Sequence, residues 1–165
     1  MPLLARILHR PHTVRRFKMA ALARDREARR LAIAGHRLAS IYLWGYCGEM
    51  LLKAAYFRLQ GWSANQPISL ADMQAAKQHA VGTLFCAWPG NLHFLPGWKE
   101  LLIAERQRVG VAYARSFSRS LHAHVGRLAL QWTETLRYHD LRPYQGEVRR
   151  CEQAITWLIG QFRFL

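Results

Sequence analysis

Between Ile41 and Leu59, the apolar and small residues Ile41, Trp44, Gly48, Leu51, Leu52, Ala55 and Leu59 recur at steps of three and four. That is the period of one face of an α-helix. Nowhere does the chain alternate apolar and polar residues for long enough to specify a half-buried strand. Such a chain buries its apolar faces by packing helix on helix, so the fold class expected is all-α.

The rest of the sequence divides accordingly. Residues 17 to 34 are rich in Ala, Leu, Arg and Glu with no proline, and Gly35 ends that helix. Gln60 to Leu70, with Gly61, Asn65 and Pro67, reads as a loop. Ser69 is then a cap, and Asp72 a first-turn acid, for a helix from Leu70 to about Ala87. Two Pro-Gly pairs mark residues 88 to 98 as a structured loop. Beyond it Leu102, Val109, Tyr113, Phe117, Leu121, Val125, Leu128 and Trp132 predict one long helix reaching Leu136, with Gly110 and Gly126 able to bend it. Pro143 separates this from a last helix, about Tyr144 to Phe162, whose inward face is Cys151, Ile155, Leu158 and Phe162. The architecture expected is an antiparallel bundle of four or five helices. At 165 residues it forms one domain, 17 to 165, behind a basic arm of residues 1 to 16.

Charge narrows the partners. The chain carries 24 Lys plus Arg, 20 of them Arg, against 10 Asp plus Glu, for a net charge of +14. Such a field attracts polyanions, and the planar guanidinium fork suits phosphate, so nucleic acid, a nucleotide, an anionic membrane or an acidic protein are candidate counterparts. The alternative is that the charge only confers solubility. Cys47, Cys86 and Cys151 are odd in number and far apart, without a C-x-x-C spacing, which predicts neither a disulfide framework nor a zinc site. A cytoplasmic location without a transmembrane segment is the corresponding expectation, and neither metal nor cofactor is expected.

The segment Ile41 to Ala55 holds the most chemistry. Gly45 and Gly48 allow a neighbouring helix to approach closely, and Glu49 and Lys53 stand four apart in the favourable order for a helical ion pair. Two readings follow: the pair ties the helix surface, or it faces a cleft in which the carboxylate is held by arginine. Trp88 and Trp98 serve either as core or as stacking platforms for bases.

The pattern Ile-Tyr-Leu-x-Gly-Tyr-x-x-Glu-x-x-Leu-Lys-Ala-Ala, with Tyr46 beside Gly45, resembles the HEPN superfamily, the helical domain found beside or fused to minimal nucleotidyltransferases. His79, the Arg137-Tyr138 pair before the final helix, and an amphipathic last helix ending near Trp157 agree with it over roughly residues 30 to 162. His139, where many relatives have Pro, and the long insertion around residues 88 to 112 depart from it. The resemblance implies a homodimer and a possible nucleotidyltransferase partner.

Many members are metal-independent ribonucleases using an Arg and a His separated by four to six residues, paired across a homodimer. Arg115 with His122, and Arg119 with His124, meet that spacing. His can act as general base on a ribose 2′-hydroxyl while Arg holds the phosphate. Five Arg-His pairs in the chain meet the spacing, where its Arg and His content gives about three by chance. The Arg-Tyr branch of the family often lacks the ribonuclease pair. The leading expectation is therefore a non-catalytic module binding an anionic partner, namely nucleic acid such as RNA, a nucleotide or a nucleotidyltransferase, through Arg108, Arg115, Arg119, Arg137 and Arg142. The alternatives are a ribonuclease of a toxin-antitoxin or defence system and a structural subunit.

Overall fold

A computed structural model describes residues 11–165. Residues 1–10, most of the expected basic arm, lie outside the described residues. Among the described residues the fold is all-helical, its only β-like feature being an isolated antiparallel bridge between His12 and Ile68. No helix there is long and apolar enough to cross a membrane.

Helix α1 runs Val14–Ile33, three residues earlier than its composition suggests. Thr13 caps it, its hydroxyl accepting from Arg16 N–H at 3.1 Å, which satisfies one of the otherwise orphaned N-terminal donors. Thr13, Val14 and Phe17 are buried, and Ile68 N–H donates to the His12 carbonyl at 2.7 Å. Residues 12 to 16, read from charge as arm, are thus part of the domain. After a turn at Gly35, helix α2 spans Arg37–Leu59 and packs along α1. Ile41, Trp44, Leu51, Leu52 and Ala55 are buried, as their spacing requires, but so are Cys47, Glu49, Lys53 and Ala54 on its other faces. This helix is enclosed nearly all round and forms the axis of the fold.

Helix α3, Leu70–Gly82, is capped by Ser69 as expected, and Asp72 also accepts from the Ser69 N–H at 2.7 Å, closing a capping box. It stops at Gly82 rather than Ala87, and the chain turns away through Phe85, whose φ of 54° lies in the left-handed region. The single long helix expected from Leu102 to Leu136 is instead two, α4 Leu95–Arg108 and α5 Arg115–Ala129, followed by a 3-10 turn Glu134–Tyr138. Gly110, at φ 77°, makes the break. The physical reason is visible in burial. Leu102 and Leu121 are fully buried whereas Val109 and Val111 between them are exposed, so the apolar series belongs to two helices folded against each other rather than to one stripe. Helix α6, Gln145–Gly160, presents Cys151, Ile155 and Leu158 to the core, with Phe162 buried just beyond it. The bundle therefore has six α-helices among the described residues instead of four or five.

Trp88 and Trp98 are core residues, packed edge to face with centroids 5.1 Å apart, and offer no exposed platform for a base. Cys47 and Cys151 are buried in the core, and burial pushes the Cys151 thiol up to about 12.

Candidate functional site

The glycines of α2 decide what lies beside its polar stripe. A Cβ on Gly45 would stand 2.0 Å from the Trp132 ring, and one on Gly48 2.5 Å from Leu128 Cδ2. Bare backbone at these positions lets the end of α5 and the segment after it lie directly on α2. Trp132 then meets Tyr46 edge to face at 5.3 Å. Its indole nitrogen is buried without a hydrogen-bond partner among the described residues.

Tyr42, Tyr46, Glu49 and Lys53 follow each other along α2 at steps of four, three and four and so share a face. Neither expectation for the ion pair holds. Glu49 and Lys53 are 3% and 5% exposed, so the pair is interior rather than a surface tie, and its further partner is a histidine rather than an arginine. Lys53 Nζ donates to Glu49 Oε1 and lies 5.3 Å from the centre of the Trp98 ring. Glu49 Oε2 bonds His93 Nδ1 at 2.9 Å, and the His93 ring stands edge-on to Tyr46 at 5.9 Å. The Tyr42 hydroxyl donates to that of Tyr46 at 3.2 Å. Burial, and then Tyr42 and Glu49, push the Tyr46 phenol well above its ordinary range.

His93 belongs to the loop between α3 and α4, and that loop is pinned rather than slack. Its own N–H donates to Asn91 Oδ1 at 2.8 Å. The Trp88 and Trp98 indoles donate to the carbonyls of Asn91 and Leu92 at 2.9 and 2.8 Å, and the Lys77 ammonium caps that of Gly90. The Asn91 amide reaches on to Glu134. Spacing does not single out His93, because its carboxylate partner lies 44 residues away and only the fold joins them. The available signal was its place between the two Pro-Gly pairs of a structured loop.

His93 borders two clefts. The larger, about 1060 Å³, runs between α3 and the loop. The smaller, about 350 Å³, runs between the loop and Trp132–Glu134. With Nδ1 committed to Glu49, the imidazole is held in one orientation. The Glu49 hydrogen bond raises its affinity for a proton, against burial and Lys53.

A second carboxylate is organised for a different purpose. Glu105 is fully buried and accepts from Gln60 Nε2 at 2.8 Å, His79 Nε2 at 3.0 Å and Arg108 at 2.6 and 2.9 Å. These partners come from the end of α2, from α3 and from α4, so the carboxylate ties three helices. The Arg108 bonds, with those of His79 and Gln60, hold its carboxyl at about 2, below the ordinary 4.5. Because the folded value is the depressed one, its stabilisation is complete above about pH 4.5 and fades as pH falls toward 2. Glu105→Gln is expected to flatten that part of the stability-against-pH curve, read as urea midpoints between pH 5 and 2.5.

Within the chain, neither spaced Arg-His pair is joined by a hydrogen bond among the described residues. Arg115 and Arg119 are exposed near the start of α5, and neither has a hydrogen bond to a histidine among the described residues. His122 faces α4, its Nδ1 2.8 Å from the buried Lys99 Nζ, with Glu100 at 3.7 Å. His124 turns to α6 and stacks on Trp157, ring centres 4.7 Å apart and planes within 11°. Burial, with Arg127 nearby, lowers its proton affinity.

The five arginines expected to form one surface are divided. Arg108, Arg115 and Arg119 lie where α4 ends and α5 begins. Arg137 and Arg142 lie beyond the far end of α5, whose 15 residues span about 22 Å. Arg137 stacks on Tyr138 at 4.7 Å. Arg108 is already engaged by Glu105. Comparison of the chain with protein-family models, with curated proteins and with solved structures finds no match in any of the three.

Proposed function

We propose that this chain is an HEPN-like helical module that binds an anionic partner, RNA before others, without cleaving it. The observation that carries the reading is an asymmetry in how the fold uses its charges. Of the ten carboxylates, all but Asp140 have a hydrogen-bond or ion-pair donor within the fold. Arg15, Arg26, Arg30, Arg115, Arg119, Arg127, Arg142, Arg149 and Arg150 have no carboxylate partner among the described residues. The carboxylates are paired within the fold while these nine arginines are exposed, so the excess of positive charge among the described residues acts at the surface.

The helix-two pattern around Gly45, Tyr46, Glu49 and Lys53 supports the HEPN-like part, and with it a homodimer acting beside a nucleotidyltransferase partner. Binding without cleavage is favoured over the ribonuclease alternative because His122 is committed to Lys99 and His124 is stacked against Trp157. Neither makes a hydrogen bond to Arg115 or Arg119 among the described residues.

The test is binding of a labelled single-stranded RNA between 50 and 200 mM salt by anisotropy, with the RNA recovered and sized. Affinity is expected to fall steeply with salt. Arg115→Ala with Arg119→Ala should weaken it about tenfold and reduce the salt slope by about two. Absence of saturable RNA binding would refute the module, and chelator-resistant cleavage would replace it with the ribonuclease.

A further inference from the structure

The larger cleft beside His93 is not accounted for by a polyanion surface, since it is concave and one wall is apolar. Val81 and Leu92 supply that wall, while Lys77, Gln78, Asn91 and His93 converge on it. We propose that this cleft is a binding site for a small organic phosphomonoester, with the His93 imidazolium and the Lys77 ammonium holding the phosphate and the apolar wall covering the organic body.

Three features carry this. The first is placement without slack. His93 is oriented by Glu49, and its loop is fixed by two buried indoles and by Lys77 on the Gly90 carbonyl. A site on a pinned loop does not have to be ordered by its ligand. The second is charge. Glu49 and Lys53 neutralise each other in the interior, so a proton on His93 leaves the trio with one positive charge. Lys77 adds a second, matching a phosphate dianion and exceeding what a carboxylate needs. Glu134 is held on the other side of the loop by Asn91. The third is shape. About 1060 Å³ with few polar groups against an apolar wall is the ordinary build of a small-molecule site. Lys77 spends one of its three donors on Gly90, and with Nδ1 of His93 taken by Glu49 the ring has its other nitrogen for a ligand.

The charged and titratable groups that face His93 are Glu49 and Lys53 from α2, Tyr46 beside them, Lys77 from α3 and Glu134 from the 3-10 turn. Of these, Glu49 dominates and favours the imidazolium. Deprotonating His93 should therefore release the ligand. The phosphate's own second ionisation, near pH 6, acts in the opposite sense, so the His93 contribution is read as the difference between wild type and a His93 variant.

Phenyl phosphate, inorganic phosphate and benzoate would be titrated calorimetrically into the full chain from pH 6 to 8.5. Phenyl phosphate is expected to bind at least tenfold more tightly than either of the others and to weaken about tenfold across that range. His93→Gln, whose amide can still donate to Glu49, should abolish the pH-dependent loss and lower affinity about tenfold. Lys77→Ala, which removes both a phosphate donor and the bond to the Gly90 carbonyl, should lower it severalfold. Equal binding of phenyl phosphate and inorganic phosphate, failure of phenyl phosphate to saturate, or indifference to both substitutions would overturn the proposal. The Arg115→Ala, Arg119→Ala chain should bind RNA about tenfold more weakly and phenyl phosphate unchanged while His93→Gln does the reverse, so the two readings fail separately.

Discussion

Glu49→Ala is expected to destabilise the fold by about 3–5 kcal/mol, the cost of removing one member of a buried ion pair. Lys53 is 5% exposed and its ammonium bonds Glu49, so without the carboxylate a cation is left in the interior beside Trp98 with nothing to neutralise it. His93 loses its anchor in the same step. Against a total stability of about 5–15 kcal/mol for a domain, the variant should unfold at markedly lower urea. Tryptophan fluorescence across a urea titration measures this. Glu49→Ala combined with Lys53→Met should recover much of the loss, because an apolar side chain replaces the stranded charge. If the single variant proves as stable as wild type, the pair is not interior. Glu105 makes the contrast: its partners Arg108 and His79 are 51% and 30% exposed and can return to water, so Glu105→Ala is expected to cost only about 1–3 kcal/mol.

Gly45→Ala should cost about 3 kcal/mol, although alanine is the better helix former by about 1 kcal/mol. The clash decides the sign. The new methyl would stand 2.0–2.2 Å from three atoms of the Trp132 ring, far inside van der Waals contact, and these include Cγ at the root of the indole, so the whole ring must move. Gly126→Ala on α5 supplies the control. Nothing lies within 4 Å of its added carbon, so propensity acts alone and should stabilise by about 1 kcal/mol. A thermal melt of the two variants reads opposite shifts in midpoint. Trp132→Ala combined with Gly45→Ala should cost less than the sum of the two single changes, since the second substitution removes the obstacle met by the first.

Much of the helical order was legible because periodicity and capping are local. The Ser69 cap, the first-turn Asp72 and the inward face of α6 at Cys151, Ile155 and Leu158 stand where the sequence puts them. Continuity was not legible. Leu102 through Trp132 keeps a near-regular step across the α4–α5 break, and a helical stripe folded back on itself has the same spacing as a straight one. Gly110 permitted the break, but only the mutual packing of α4 and α5 required it.

The site divides in the same way. Spacing along α2 brings Tyr42, Tyr46, Glu49 and Lys53 to one face, and residue chemistry marks Glu49 and Lys53 as a pair. That the pair is interior depends on Gly45 and Gly48 admitting Trp132 and Leu128, and on Trp98 closing the other side. Spacing on α5 likewise identified His122 and His124 but not their neighbours, which come from α4 and α6. By itself, then, the sequence determined that the chain is helical, strongly basic, and built around α2 with a carboxylate and an ammonium one turn apart. Tertiary structure alone decided that His93 joins them, that His122 and His124 turn to α4 and α6, and that the arginines divide between the two ends of α5. The reason is physical: helical periodicity acts over a few residues, whereas desolvation and hydrogen bonding between residues 44 apart exist only once the chain has closed.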